Sequence, residues 1–522
     1  MIWPQRYDPL HSPLLSTAVA ALPIVALLGS LAWLRLRAPV AALIGLLAGL
    51  GVAILVLGMP ARMAVTSAVY GAAYGLFPIG WIVLNVIFLY QLVERRGLLD
   101  ALRTGVMSVT GDPRLQLLLV AFAFGAFMEG AAGFGTPVAV TGGLLIALGF
   151  GPLEASGLSL IANTAPVAFG ALGTPIIALA GVTGLDLRSL SAQVGHQLPV
   201  FSLIVPFWLV AAYAGWRGVR ETWPAVLVAG VAFAVPQFLM ATLHGPWLVD
   251  IVAATCSMGA LVLFLRFWNP VQRSRSAVND RSLRPWIPWI LLTVLVFLWG
   301  IPQVKTALNA LSAPKLAVAG LHNLVERVPP VVAAPAPEPA VFTLNWLSAT
   351  GTSILLAALL TALVLGYGLR ELGRTWLGAL RTVSSSLLTI ALMMAIGYLT
   401  RYSGLDAILG LAFAHTGLLY PFFGTLLGWL GVALTGSDTS SNVLFGSLQT
   451  ITARQLGLSP VLMAAANSSG GVMGKMIDAQ SIVVASTVTR AHGEEGRILR
   501  FVFFHSVALA SLVGLLVMLQ AY

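Results

Sequence analysis

The chain has 522 residues, of which 58% are hydrophobic and only 9% charged, and its mean hydropathy is +0.93. A soluble domain carries about 25% charged residues because its surface faces water, so this chain lacks the polar side chains to solvate a globule of its size and most of its surface must face lipid. The formal charge of +10 does not mark a nucleic-acid partner, because the basic residues gather in short connections between apolar runs, as the positive-inside rule distributes them.

A helix needs about 20 mostly apolar residues to cross the hydrocarbon core. Residues 14–34, 40–59 and 69–93 meet that length and lead into a basic connection with Arg95, Arg96, Arg103 and Arg114. Between 115 and 180 the apolar character persists but glycine, proline and polar residues interrupt it. Further spans are expected at 198–216, 223–243 and 247–267, with Arg217 and Arg220 in one connection. The first membrane half is thus 1–268, and a basic cytoplasmic loop follows at 269–285 with Arg273, Arg275, Arg281 and Arg284. The second half, 286–522, reads as spans at 286–302, 348–368, 384–400 and 501–519, with a second interrupted region between 405 and 486. Its segment 303–345 is Pro/Ala-rich and poor in basic residues, which places it outside, and the N-terminus traces to the same side.

The expected fold is an all-α, polytopic helical membrane bundle of about 12–14 crossings, since the alternating period of a membrane barrel is absent. The first span lacks a basic leader and a small-residue cleavage site, so it reads as a retained helix. Cys256 is the single cysteine, so no disulfide forms within the chain.

Two regions, 128–180 and 435–486, share an unusual plan. In the first, Met128-Glu-Gly-Ala-Ala-Gly-Phe-Gly-Thr-Pro137 precedes Ala162-Asn-Thr-Ala-Pro166 and Gly170-Ala-Leu-Gly-Thr-Pro175. In the second, Thr435-Gly-Ser-Asp-Thr-Ser-Ser-Asn442 precedes Ala466-Asn-Ser-Ser-Gly-Gly471 and Gly474-Lys-Met476. Paired interruptions in two halves point to a carrier's binding site. Freed backbone groups are costly in lipid and survive only inside protein or along a wet cavity. N–H groups at a half-helix start carry partial positive charge and suit a carboxylate.

Glycine in membrane helices most often means close helix packing, and Gly142, Gly143, Gly149 and Gly151 read that way. The turn at 133–137 and the polar string at 437–442 do not. Glu129 ends an apolar run and is a candidate for handling a proton or an ion pair, and Asp438 lies inside the second break. Lys475 either anchors the substrate carboxylate or neutralises Asp438 or Asp478. His196, His415 and His505 sit singly near span ends and read as structural.

At these residues the sequence resembles the lactate permease family, whose members carry lactate and glycolate with protons across the bacterial inner membrane. The resemblance rests on Glu129-Gly-Ala-Ala-Gly-Phe-Gly135, Ile161-Ala-Asn-Thr-Ala-Pro-Val-Ala-Phe-Gly170, Trp216-Arg-Gly-Val-Arg-Glu-Thr-Trp-Pro224, Thr435-Gly-Ser-Asp-Thr-Ser-Ser-Asn442 and Asn467-Ser-Ser-Gly-Gly-Val-Met-Gly-Lys475. It runs nearly end to end, closing with Leu519-Gln-Ala-Tyr522. The chain departs from the family pattern at Asp478-Ala479, where Ser-Pro is expected, at Thr136 in place of Ala, and at His196 in place of Arg. The resemblance implies a substrate site at Gly133, Gly135, Thr136, Asn163, Thr164, Ser437, Thr439, Ser440, Ser441, Asn467, Ser468 and Lys475; proton coupling is expected of Glu129 or Asp438.

The expected function is proton-coupled symport of lactate and related 2-hydroxy monocarboxylates, with the proton as coupling ion and no cofactor or metal. Such an acid has a carboxyl pKa of about 4, like a free Asp side chain, and is an anion at neutral pH. Moving it inward against an inside-negative potential costs roughly 2.3 kcal/mol per 100 mV, which one accompanying proton cancels. A carrier of another small anion, such as gluconate or a dicarboxylate, is the alternative, although no extra arginine falls in the breaks. A membrane dehydrogenase is disfavoured, since Gly133-Phe-Gly135 lacks the third glycine of a dinucleotide fingerprint and any strand–turn–helix context.

Overall fold

The computed structural model describes residues 2–522 except 33, 35, 108, 132, 134, 135, 269–283 and 492. The expected basic loop therefore lies outside the described residues apart from its last two positions. A short strand, β1 (Trp3–Pro4), precedes the apolar helices α1 (Pro13–Ala32) and α2 (Ala38–Gly51). Next, α3 (Ala61–Tyr74) and α4 (Trp81–Arg95) form one run bent at Phe77. The residue before a proline is pushed out of the helical region, and Phe77 before Pro78 is extended, so the bend sits there. A short helix, α5 (Leu98–Met107), completes this part.

The surface inverts the pattern of a soluble protein. Leu55 is 84% exposed and Leu519 80%, whereas Asn467, Ser468 and Asp478 are fully buried. Lipid on the outside and polar contacts within account for that distribution.

The first interrupted region begins with α6 (Pro113–Leu117), which passes through wide turns at 118–124 into α7 (Gly125–Ala131). The chain breaks at Gly133, whose φ of +58° is open to glycine at little cost, and restarts as α8 (Thr136–Ala147). It reverses through Gly149 into α9 (Pro152–Ala162), runs as turns over 163–170 and a tight helical turn over 171–173, and resumes as α10 (Thr174–Thr183). Two long elements follow, α11 (Leu187–Leu239) and α12 (Val249–Phe267). α11 doubles back at Gly215, where φ is +66° and ψ −174°. Ser202 Oγ then donates to Gln237 Oε1 at 2.7 Å, and Ser191 Oγ donates to the Ala241 carbonyl at 2.8 Å. These pairs could not meet along a straight helix, so α11 holds the two antiparallel crossings expected at 198–216 and 223–243.

In the second half, α13 (Ile287–Gly300) and α14 (Pro302–Leu311) meet at a 77° bend. The segment expected as an external loop carries two small sheets. β2 (Lys315–Ala317) pairs antiparallel with β5 (Val341–Thr343); β3 (Val325–Arg327) pairs antiparallel with β4 (Ala336–Pro337) and parallel with β1, Trp3 lying opposite Val325. The N-terminal strand and this segment therefore share one side of the bundle. α15 (Thr350–Val364), α16 (Leu369–Ser403) and α17 (Leu405–Phe413) lead to the second interrupted region. This comprises α18 (Tyr420–Thr435), a break at Gly436, α19 (Asp438–Gln455), a reversal at Gly457, α20 (Pro460–Gly474), a second break at 475–478, and α21 (Ala479–Val488) before the closing α22 (Glu495–Ala521).

Among the described residues nine helical segments are long and apolar enough to cross a membrane, and the bent α13–α14 pair adds a tenth. That number takes α11 as one segment although it makes two crossings, and it leaves out the shorter apolar helices α8, α10 and α15, whose regions the expected count of crossings included.

The two interrupted regions have the same design. Each runs helix, glycine break, helix, glycine reversal, helix with proline at its first position, second break, helix. Their packing is exchanged: α10 lies on α19 while α21 lies on α8, and α11 packs on α20 while α22 packs on α9. Reciprocal contacts of this kind arise when two equivalent units are related by a two-fold operation, the arrangement found in carriers built from repeats.

Candidate functional site

The breaks of both units converge. In the second unit, Gly436 ends α18 in a left-handed conformation, and Ser437 caps α19 by accepting the Ser440 N–H at 3.3 Å. A Ser side chain suits that position because it satisfies one of the helix's free donors. Asp438 therefore falls in the first turn of α19, where the helix dipole favours an acid. Its Oδ2 accepts from Ser468 Oγ at 2.5 Å and from Asn442 Nδ2 at 3.1 Å. Asn442 Nδ2 also reaches the Pro175 carbonyl at 3.3 Å, joining the starts of α19 and α10.

The network continues inward. Asn467 Nδ2 donates to Asn442 Oδ1 at 3.0 Å, Gln449 Nε2 to Asn467 Oδ1 at 3.2 Å, and the Tyr420 hydroxyl to Gln449 Oε1 at 2.6 Å. All five of these residues from Asp438 to Tyr420 are buried, so each side chain is fixed by its partners.

Lys475 is the one buried lysine or arginine among the described residues. Its Nζ donates to the Gly436 carbonyl at 2.6 Å and lies 3.2 Å from Asp478 Oδ2. Asp478 Oδ1 in turn caps α21 by accepting the Ser481 N–H at 2.8 Å. Of the roles left open by the sequence, the ion pair with Asp478 is thus formed, and the ammonium sits at the carbonyl end of α18, where the dipole is negative. It remains within electrostatic range of both Glu129 and Asp438.

Glu129 lies on α7, just before the first break, and is buried. Asn163, at the end of α9, stands beside it. Glu129 Oε2 and both polar atoms of the Asn163 side chain are buried without a hydrogen-bond partner among the described residues. Leaving a buried polar group unsatisfied costs about 1–3 kcal/mol. Neighbouring groups in this condition, at a break, form a place that can receive a polar ligand. Gly133 closes the spot from below: a Cβ there would stand 3.1 Å from the Ala171 Cβ, so the two first-unit breaks touch.

The structure therefore gathers Glu129, Gly133, Asn163, Ser437, Asp438, Asn467, Ser468 and Lys475 around the joined breaks. Thr164 is buried there too, but its hydroxyl donates to the Ile161 carbonyl at 2.8 Å. Ser441 Oγ donates to the Gly428 carbonyl at 3.0 Å and serves the α18–α19 contact. Ser440 is buried and supplies the capping N–H, while Thr439 is half-buried. Thr136 lies apart, lining a cleft of about 390 Å³ with Tyr90, Glu94 and Gly143. Gly135 lies outside the described residues.

The histidines are placed as structural groups: His505 Nδ1 accepts from Trp208 Nε1 at 2.9 Å, and His196 and His415 are exposed, the first beside the Ala192 carbonyl of its own helix and the second, just past α17, beside the Leu411 carbonyl. Sequence reasoning missed Asp250, Asn442 and Gln449. Asn442 stood inside a motif already singled out, whereas Asp250, an acid opening an apolar run, reads as interfacial from the sequence alone.

The family model for L-lactate permease matches residues 16–522. Glycolate permease GlcA of Escherichia coli (strain K12) is 46% identical to this chain over 553 residues, covering 100% of this chain and 98% of its own length. L-lactate permeases of Salmonella typhimurium and Bacillus subtilis are 45% and 43% identical over the same shares. Among solved structures, the YdaH transporter of Alcanivorax borkumensis aligns over 86% of each chain at 15% identity with a TM-score of 0.46, a likeness too loose to carry an argument. Residue motifs, architecture and relatives agree: the chain is a multi-pass membrane transporter and belongs to the L-lactate permease family.

Proposed function

We propose that the chain is a proton-coupled carrier of lactate, glycolate and related 2-hydroxy monocarboxylates across the bacterial inner membrane. The observation that carries this reading is the meeting of breaks from two equivalent units around one buried cation, Lys475, and several buried acids. A small monoanion suits that centre. Its carboxylate can take the unpartnered Asn163 amide, the field of Lys475 and free N–H groups at the half-helix starts. With one buried cation, the centre has no charge to spare for a second carboxylate.

The same charge balance calls for a proton. A substrate anion entering beside Glu129 and Asp438 raises the buried negative charge, which is prohibitive at low dielectric unless a carboxylate is neutralised. Glu129 or Asp438 takes that proton, and the pair of cargo and proton crosses without net charge, avoiding roughly 2.3 kcal/mol per 100 mV of membrane potential.

The test is uptake of radiolabelled lactate into proteoliposomes under an inward proton gradient. Uptake is expected to rise with the gradient, collapse with a protonophore, and be competed by glycolate more effectively than by gluconate or succinate. Gradient-independent uptake, or competition led by gluconate or a dicarboxylate, would overturn the reading. Glu129→Gln and Asp438→Asn are expected to abolish or uncouple accumulation; wild-type coupling in both would remove these two acids from the mechanism.

A further inference from the structure

Asp250 has no part in the mechanism above, yet its setting is unusual. It lies in the first turn of α12, 2% exposed, and both carboxylate oxygens are buried without a hydrogen-bond partner among the described residues. Its backbone packs directly on the first break's helix, since a Cβ on Gly130 would stand 2.9 Å from the Asp250 Cβ. The side chain therefore borders α7 beside Glu129. Among the described residues no cation or hydrogen-bond donor pairs with it, and only the dipole at the start of α12 favours its charged form.

The groups on the elements around it can be named in turn. On α11, which packs along α12, Arg188 donates to the Gly300 carbonyl, Glu221 pairs with Arg114, and His196, Arg217 and Arg220 are exposed. α7 presents Glu129, which acts on Asp250 electrostatically. The wide turns at 118–124 and the turn at 171–173 are made of apolar residues and glycine. His244, just ahead of α12, is engaged through Nε2 with the Phe297 carbonyl at 3.1 Å. Lys475 acts on Glu129 and is already paired with Asp478. Two neighbouring carboxylates thus share at most part of one cation, and burying both as anions would cost several kcal/mol per uncompensated charge. Like-charged carboxyls in one site cannot both ionise readily.

We propose that Asp250 is the proton reservoir of Glu129. It is a neutral carboxylic acid that passes its proton to Glu129 when a substrate carboxylate competes with Glu129 for the field of Lys475, the two carboxyls closing from the arrangement seen here, in which they share no hydrogen bond. In the step, the O–H bond of Asp250 breaks and an O–H bond forms on Glu129. Asp250 is then reprotonated from the aqueous phase, so one proton enters per anion bound. A carboxylate that loses its share of a cation's field to a second anion becomes a better proton acceptor, which gives the transfer its direction. This inference rests on the proton-coupled reading.

The experiment compares two transport modes in proteoliposomes. Lactate–lactate exchange needs no net proton movement, whereas gradient-driven accumulation does. Asp250→Asn keeps the shape and removes the proton, and it is expected to lose accumulation and the pH dependence of uptake far more than exchange. Asp250→Glu restores a titratable proton and is expected to recover coupling. Wild-type accumulation and pH profile in Asp250→Asn would overturn the reservoir. A wild-type protein with no lactate exchange would instead overturn the carrier reading itself. Should Asp250→Asn fail to reach the membrane, infrared difference spectra of the wild type decide. Lactate-induced change of a protonated carboxyl stretch at neutral pH supports the proposal, and its absence overturns it.

Discussion

Ser468 shows how much a single hydroxyl can hold at this site. It donates to Asp438 Oδ2 and is itself approached by Asn442 Nδ2 at 3.2 Å, so it closes the polar network at its acidic end. Ser468→Ala is expected to lower stability by roughly 1–3 kcal/mol, the cost of stripping a partner from a buried group. A drop in the unfolding midpoint in detergent would register it, together with a weaker dependence of uptake on pH. This end of the site was legible in the sequence, because six consecutive polar residues from Ser437 to Asn442 have no packing explanation inside an apolar chain. Asp250 was not, since an isolated acid opening an apolar run reads as interfacial until the fold shows what covers it. Thr136 marks the converse limit. Sequence position put it beside the break, but which way α8 is rotated decides what its side chain faces, and it lines a cleft against α4.

Glycines set the approach of α18 to α20. A Cβ on Gly428 would collide with the Asn467 carbonyl oxygen, one on Gly470 with the Thr425 carbonyl, and one on Gly474 with the Trp429 carbonyl. Backbones this close leave no room for a side chain. Gly428→Ala is expected to cost about 1–3 kcal/mol through overpacking and to shift Asn467 within the network. Gly51→Ala, where nothing lies within 4 Å of the new methyl, should leave the midpoint near that of wild type. Helix caps contribute on the same scale. Exposed Asp186 accepts the Ser189 N–H at 2.8 Å and its hydroxyl at 2.9 Å at the start of α11, and the backbone bond above all holds its carboxyl below the ordinary aspartate range. A lowered carboxyl pKa stabilises above the ordinary value and fades as pH falls through the lowered one. Asp186→Ala is accordingly expected to cost about 1 kcal/mol at neutral pH, with the difference from wild type vanishing in acid; unfolding midpoints across that range would check it. The doubling back of α11 at Gly215 was readable from two apolar runs around a basic connection, whereas the exchanged packing of the units was not, because it depends on contacts between residues hundreds of positions apart.

On the scale of the whole molecule, the sheet-bearing segment is bolted to the bundle by charge. Glu338 bridges Arg327 at 2.9 Å and Arg401 at 2.6 Å, and Arg401 also donates to the Gly181 and Val182 carbonyls near the end of α10 at 3.2 and 3.3 Å. One guanidinium therefore ties the cap, α16 and the first unit together. Glu338→Gln would strand two largely buried guanidinium groups. Breaking such a buried cluster costs roughly 3–5 kcal/mol, and the partial exposure of both arginines places this case near the lower figure. Early protease cleavage within 312–349 is the expected sign. None of this was visible in a Pro/Ala-rich stretch whose composition suggested only an exposed loop.

The pairing of Trp3 with Val325 has a consequence for how the protein is made. A ribosome delivers the first strand long before its partner, so that strand must wait, its backbone donors hydrated, while the helices of the first half enter the bilayer. Nascent chains halted short of Val325 should leave the N-terminal residues open to digestion, and longer ones should shield them. Maturation of this face of the bundle is thereby timed by translation.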